Sequence, residues 1–247
     1  MLGSLVAGFA LSSLGFRLSF IVFAAFPLAA MAFVLRLPRE CVATTSKRES
    51  VFVGMGRKGL GSLYFATALR QAGMVGAFSL LFVHMASLGI AEGAMGVARS
   101  VNPAFQIPAL LVFGQLADRL SRKGIFVLGF GLSVLVPVIF GFAKSALTVT
   151  TGFIILGISF TALYIGSTAY IGDRIPAERH GAMLGLYESS RGLGGVVGPL
   201  IAGAIAPVVG FQGMFFVMAG IATAGFLLVL LRRDGNPRVS HSKPSFK

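Results

Sequence analysis

Charge is what this sequence lacks most. Lys, Arg, Asp and Glu make up 12% of its 247 residues, against about 25% in an ordinary soluble domain. Cysteine is nearly absent: Cys41 stands alone in a polar stretch, so no disulfide can form within the chain. No His/Cys cluster has metal-ligand spacing, and neither a nucleophile with its base nor a pair of acids is arranged within the apolar runs. The short Gly54-Met55-Gly56 run lies in a polar linker, without the strand context of a nucleotide fold. An enzyme, a metal site, a cofactor and ATP-driven chemistry within this chain are therefore not expected.

What is abundant is apolar. Hydrophobic residues reach 55%, mean hydropathy is +0.87, and there are 33 Gly and 23 Phe. Apolar stretches of about 20 residues occur in series, the length a helix needs to cross a bilayer. They predict an all-α, polytopic transmembrane helix bundle with seven full spans and a short first segment. That segment covers residues 1–14, and a first full span covers 18–36. A polar linker occupies 37–59, with Pro38, Lys47 and Arg48 among its residues. Six spans follow at 60–88, 94–117, 124–142, 147–172, 181–205 and 211–231, and residues 232–247 form a basic tail. As domains, these are a remnant of one helical half (1–36), a linker (37–59), a six-helix half (60–231) and the tail.

The net charge of +13 would suit a nucleic-acid binder if it formed a patch. Instead, the basic residues cluster in short stretches between apolar runs. With the linker on the cytoplasmic side, 16 of the 21 Lys and Arg fall on that side, and only Arg17, Arg99 and Lys144 on the other. This is the positive-inside pattern. It predicts a cytoplasmic membrane protein whose central loop and C-terminus are cytoplasmic, with the lipid bilayer and not nucleic acid as its partner. Residues Met1–Phe16 have no basic region ahead of the apolar stretch, which argues against a cleaved signal peptide. Fourteen helical residues reach only about 21 Å, short of a core about 30 Å thick. The first segment therefore reads as part of a helix that starts upstream.

Three stretches carry a family resemblance. The first is Gly114-Gln115-Leu116-Ala117-Asp118-Arg119-Leu120-Ser121-Arg122-Lys123, at the end of one span and the start of the next. The second is Asp173-Arg174-Ile175-Pro176-Ala177-Glu178-Arg179-His180-Gly181. The third is Gly192-Leu193-Gly194-Gly195-Val196-Val197-Gly198-Pro199, continuing to Gly203. Together with the central linker, they resemble the major facilitator superfamily. In the loop stretch, Gly114 would permit close helix contact and Asp118 would cap or pair with a helix end. Arg119, Arg122 and Lys123 would hold the loop at the anionic face. Gly194 and Gly198, four apart and followed by Pro199, make a small-residue packing face.

The resemblance implies helices five (in part) and six at 1–36 and helices seven to twelve at 60–231. Helices one to four are then missing, either lost from the sequence or supplied by another chain. Such transporters rock two six-helix halves about a midplane site, and helices seven, eight, ten and eleven would line it. Charges at that depth are costly and mark candidate sites. Arg70 and Arg191 would attract an anionic group, and Glu188 would carry a proton or answer Arg191 at i, i+3. Arg99, Asn102 and Gln106 share one face, as do Thr161, Tyr164 and Thr168; interhelical hydrogen bonding is the plainer reading of both stripes. Gln71 is expected to point away from Arg70, and His84 to lie at the membrane interface. Pro108 and Pro137 fall inside spans, where they could kink helices. The resemblance implies secondary transport of a small organic solute, drug-like or anionic, by alternating access and coupled to protons, as uptake or efflux. The alternative is a non-transporting receptor-like relative or an inert truncated form.

Overall fold

The computed structural model describes residues 18, 21–33, 35–36, 60–119, 121–172 and 179–232, except the side chains of 117–119. The segment 1–14, the whole linker 37–59, the second loop stretch at 173–178 and the tail beyond 232 lie outside the described residues. The chain divides into two compact units, Met1–Ser50 and Val51–Lys247. In the first, α1 (Ile21–Phe33) is an apolar helix. It is shorter than the 18–36 span expected, whose remaining residues are only partly described.

The second unit is a bundle of α2 (Leu60–Ser79), α3 (Leu81–Ser87), α4 (Glu92–Arg119), α5 (Arg122–Gly141), α6 (Ala146–Gly172) and α7 (His180–Leu230). Helices α2 and α3 are separated only by Leu80 and make one span of 28 residues. Helix α7 is too long for a single crossing, since 51 residues would reach about 77 Å. It breaks at Gly210, whose φ of 72° favours a residue without Cβ. The two legs fold back on each other there, as their contacts with α2 require. Gly194 and Gly198 of the first leg follow Ala68 and Ala72 in parallel, whereas Met218, Ala222 and Gly225 of the second leg run antiparallel to α2.

By length and composition, four helices among the described residues can cross a membrane: Leu60–Ser87, Arg122–Gly141, Ala146–Gly172 and the two-legged His180–Leu230. Helix α4 is long enough, at 28 residues, but less apolar. Its polar side chains Arg99, Asn102 and Gln106 border an internal cavity, so lipid does not have to solvate them.

Glycine sets the helix spacing. Without the hydrophobic effect between helices in lipid, close backbone approach and dispersion hold them together. A Cβ on Gly73 would lie 2.5 Å from the Met218 carbonyl oxygen, and one on Gly166 2.8 Å from the Phe126 backbone. On Gly157 it would lie 2.6 Å from the Asn102 carbonyl oxygen. Gly194 and Gly198 meet the carbonyls of Ala68 and Ala72 in the same way. Gly114, in contrast, faces open space, with no atom within 4 Å of where its Cβ would be. The expected close helix contact does not form there among the described residues.

Two apolar clusters fill the bundle ends. One gathers Met74, Leu81, Phe140, Phe153, Met214 and Phe215. The other gathers Leu63, Tyr64, Phe126, Phe130, Tyr170 and Tyr187, with Phe126 and Tyr170 stacked at 5.6 Å. Between them lies a thinner polar layer. The chain is thus an all-α bundle of membrane-spanning helices.

Replacing Gly194 or Gly198 with Leu forces these backbones apart and should destabilise the bundle by about 1–3 kcal/mol or more. Gly195→Leu, with no atom within 4 Å, should stay within about 0.5 kcal/mol. Thermal unfolding of the detergent-solubilised native protein reads both; equal losses would refute the packing assignment.

Candidate functional site

Arg70 is at the centre of the polar layer. It lies ten residues beyond Leu60 on α2, about 15 Å along the axis, or half of a core about 30 Å thick. The residue is buried, and no carboxylate meets it among the described residues. Neutral groups hold the guanidinium instead: Nη1 donates to Ser133 Oγ at 3.0 Å and Nη2 to Gln71 Oε1 at 2.6 Å. Its carbon lies 5.6 Å from the Phe130 ring centroid, a cation–π distance. Nε has no hydrogen-bond partner. Gln71, which the sequence reading turned away from Arg70, is therefore its tightest acceptor. A flexible side chain can reach around the helix in a way that helical spacing does not register.

The serine beneath Arg70 is itself anchored. Ser133 and Ser159 hydroxyls meet at 2.8 Å, and both reach the Gly129 carbonyl oxygen, at 2.8 and 2.9 Å. Helices α2, α5 and α6 are thus joined at one level. The charged hydrogen bond from Arg70 to Ser133 contributes about 1.5–3 kcal/mol.

A cavity of about 260 Å³ opens above this layer, between α2, α4, α6 and the first leg of α7. Arg70, Arg99 and Arg191 border it, with Phe78 and Phe160 among the apolar walls. Arg99, counted from the sequence among the outer-face basic residues, sits inside α4 and turns into the cavity. Its guanidinium stacks over Phe78 at 4.9 Å and Phe153 at 5.7 Å. Asn102 lies beside it, donating from Nδ2 to the Phe153 carbonyl at 3.2 Å and accepting from Gln106 Nε2 at 2.9 Å. Both amides line the cavity.

A smaller chamber of about 40 Å³ adjoins, bordered by Arg70 and Arg191 again and by Tyr164, Tyr187 and Glu188. Glu188 and Arg191 pair at 2.9 Å, with Glu188 60% exposed and Arg191 23%. Arg191 also lies 5.8 Å from the Phe160 ring centroid. Tyr164 is mostly exposed. On the neighbouring face, Thr161 donates to the Gly157 carbonyl within its own helix at 3.0 Å, and Thr168 to that of Tyr164 at 2.9 Å.

Other sequence candidates lie elsewhere. Pro199 sits inside the first leg of α7, next to Gly198 and the α2 contact. The Asp118 and Arg119 side chains fall outside the described residues. Ser121 caps α5, accepting from the Gly124 N–H at 3.1 Å. Arg122 opens the same helix, and Lys123 donates from Nζ to the Arg232 carbonyl at 2.8 Å. The loop motif thus ties onto the end of the last helix. His84, expected at the interface, is buried at 9% exposure. It packs on Phe211 and Phe215, with ring centroids at 5.4 and 5.3 Å. The hairpin at Gly210 brings those rings over it, a tertiary contact with no local signal.

Comparison with known proteins fits this geometry. The family model described as Major Facilitator Superfamily matches residues 63–247. The multidrug resistance protein MdtG of Klebsiella pneumoniae (strain 342) is 25% identical over 259 residues, 99% of this chain and 61% of that protein. MdtG of Proteus mirabilis is 26% identical, covering 70% of this chain and 44% of its own length. The staphyloferrin B transporter of Staphylococcus aureus is 29% identical, covering 64% and 39%. The chain spans between 24% and 61% of the length of these and other curated relatives it matches.

Removing the Gln71 acceptor with Gln71→Leu should cost about 1.5–3 kcal/mol of bundle stability. Glu188→Gln, which breaks only an i, i+3 pair, should cost about 0.5 kcal/mol or less. Unfolding curves for the two variants check the contrast, and a larger loss for Glu188→Gln would reverse the assignment of the buried cation's support.

Proposed function

The chain belongs to the major facilitator superfamily, and on that premise we propose that it forms half of a secondary transporter for a small organic solute. The cavity bordered by Arg70, Arg99 and Arg191 carries this reading. It lies at mid-membrane depth, where a charge is expensive unless function retains it, and beside glycine-packed helices able to move as rigid bodies. The solute binds there, and the bundle rocks against a second helical half to expose the cavity to each side in turn. Names among the relatives, multidrug resistance protein and staphyloferrin B transporter, agree with small-solute movement.

Within this reading, residues 60–231 are the transmembrane half, 1–36 belong to the other half, and 37–59 form the linker between them. Linker and tail are cytoplasmic, in keeping with the basic residues around them. Helices one to four, which complete the first half, come from the same polypeptide or a second chain. Glu188 is the coupling acid. Protonating it releases Arg191, so proton binding favours an anionic group at that arginine. The loop residues Asp118, Arg119, Arg122 and Lys123 act at the cytoplasmic closure, where Lys123 already reaches the end of the last helix.

Arg70→Ala in the native protein should lower uptake or efflux at least tenfold at unchanged membrane abundance. Glu188→Gln should abolish proton-driven accumulation while leaving solute exchange across proteoliposomes. Unchanged transport in the first variant removes Arg70 from the site; unchanged accumulation in the second removes Glu188 from coupling. A tag after Lys247 reads the native size. A band well above 25.8 kDa places the other helices in the same polypeptide, and one at that mass assigns them to a partner.

A further inference from the structure

The cavity's charges are unequal in number and separated along the membrane normal. Three guanidinium groups border the larger chamber, Arg70, Arg99 and Arg191. Glu188, on the smaller chamber, is the one described carboxylate at this depth, and it is already paired to Arg191. Arg70 is held by neutral oxygens, and Arg99 rests on aromatic rings without an ion pair among the described residues. Two cations therefore lack a counter-anion.

They also sit at different levels. Arg70 and Arg191 border both chambers, whereas Arg99 stacks on Phe78, eight residues further along α2. That step corresponds to about 12 Å of helix axis. Between the two levels Met74, Val75, Leu156 and Phe160 form an apolar wall, and Asn102 and Gln106 line the α4 side.

We propose that the cavity takes a dianion whose two charges lie at opposite ends of an apolar spacer. One anionic group sits at Arg70 and Arg191, the other at Arg99, and the spacer lies along the Met74–Phe160 wall. This deepens the transport reading and rests on the same cavity. It selects among solutes by a specific rule. A monoanion leaves one cation unmatched, a short dianion cannot reach both levels, and an organic cation meets three like charges. Asn102, one turn from Arg99 on α4 and hydrogen-bonded to Gln106, supplies a neutral donor near the second anionic group. Carboxylates are the probe chemistry, because planar guanidinium matches them through paired hydrogen bonds.

The test uses the native protein, purified from its source membrane in detergent at pH 7, and radiolabelled acids in equilibrium binding. Suberate, with two carboxylates on an eight-carbon chain, should bind at least tenfold tighter than octanoate and tighter than succinate. Arg99→Gln should erase the advantage of suberate over octanoate; Arg99→Lys should keep part of it. An unfolding transition like that of the native protein certifies that the variant is folded. Equal affinity for suberate and octanoate, stronger binding of succinate, or displacement of suberate by tetraphenylphosphonium would each overturn the proposal. A variant Arg99→Gln that weakens both acids alike would do the same. Proteoliposome flux separates the two readings. Suberate that binds but is not moved leaves the dianion site standing and defeats transport; flux of an organic cation without suberate binding does the reverse.

Discussion

A guanidinium kept charged at the middle of a membrane protein constrains everything packed around it. Arg70 cannot be solvated by lipid, and a buried charge without compensation is expensive. The fold answers with neutral oxygens from Gln71 and Ser133 and with the face of Phe130. None of these cancels the charge; they only disperse it. The ring of Phe130 and the Ser133–Ser159 pair come from α5 and α6, so the cation's surroundings fix how those helices approach α2. That fixes the division of the interior as well, with an apolar cluster at each end and a polar layer between them. An acid from a neighbouring helix would have been the simpler solution for stability. Its absence among the described residues leaves the positive potential available to something that enters the cavity.

The glycines serve this arrangement by making part of the bundle unable to adjust. Where Gly73, Gly194, Gly198 and Gly225 press against opposing backbones, α2 and both legs of α7 form a three-helix unit with little room for sliding. Gly129 and Gly166 lock α5 to α6 in the same way. Interfaces packed at backbone distance tend to move as blocks, because any partial displacement forfeits dispersion contacts at once. The wall formed by α4 differs. It meets α6 closely at Gly157, yet Val97, Ile107, Leu111 and Val112 are exposed, and Gly93, Gly96 and Gly114 face open space.

Much of this was legible in the sequence, for a definite reason. Crossing a bilayer demands a run of apolar residues, and that demand is local. The spans at 124–142 and 147–172 accordingly agree with α5 and α6 to within two residues. Even the break between the last two spans was visible, since the apolar runs 181–205 and 211–231 would join to a length no bilayer accommodates. What resisted reading was direction around each helix. Gln71 folds back to Arg70, and His84 is covered by rings that arrive from the far side of a hairpin. Each depends on which helix is the neighbour, and hydropathy carries no such information. Gly114 is the opposite error: a small residue offers the possibility of contact, but a partner must be there to take it.

Arg191 links the two chambers, and that position has a thermodynamic consequence for the proposed transport cycle. One cation borders both spaces while bonded to Glu188. A solute anion arriving from the larger chamber and the Glu188 carboxylate therefore compete for the same guanidinium. Competition of this kind is a coupling free energy, and it is reciprocal. Whatever releasing Arg191 from Glu188 adds to anion affinity, anion binding must return as a weaker Glu188–Arg191 pair. The pair's exposure matters here. A fully buried ion pair would lose several kcal/mol on breaking, enough to hold the cycle in one state. An i, i+3 pair on a partly open surface is worth only about 0.5 kcal/mol, so a proton or a solute can displace it without trapping either. The strongly held cation, Arg70, and the weakly held one, Arg191, thus have separate tasks: the first keeps the field of the site constant, and the second makes it responsive.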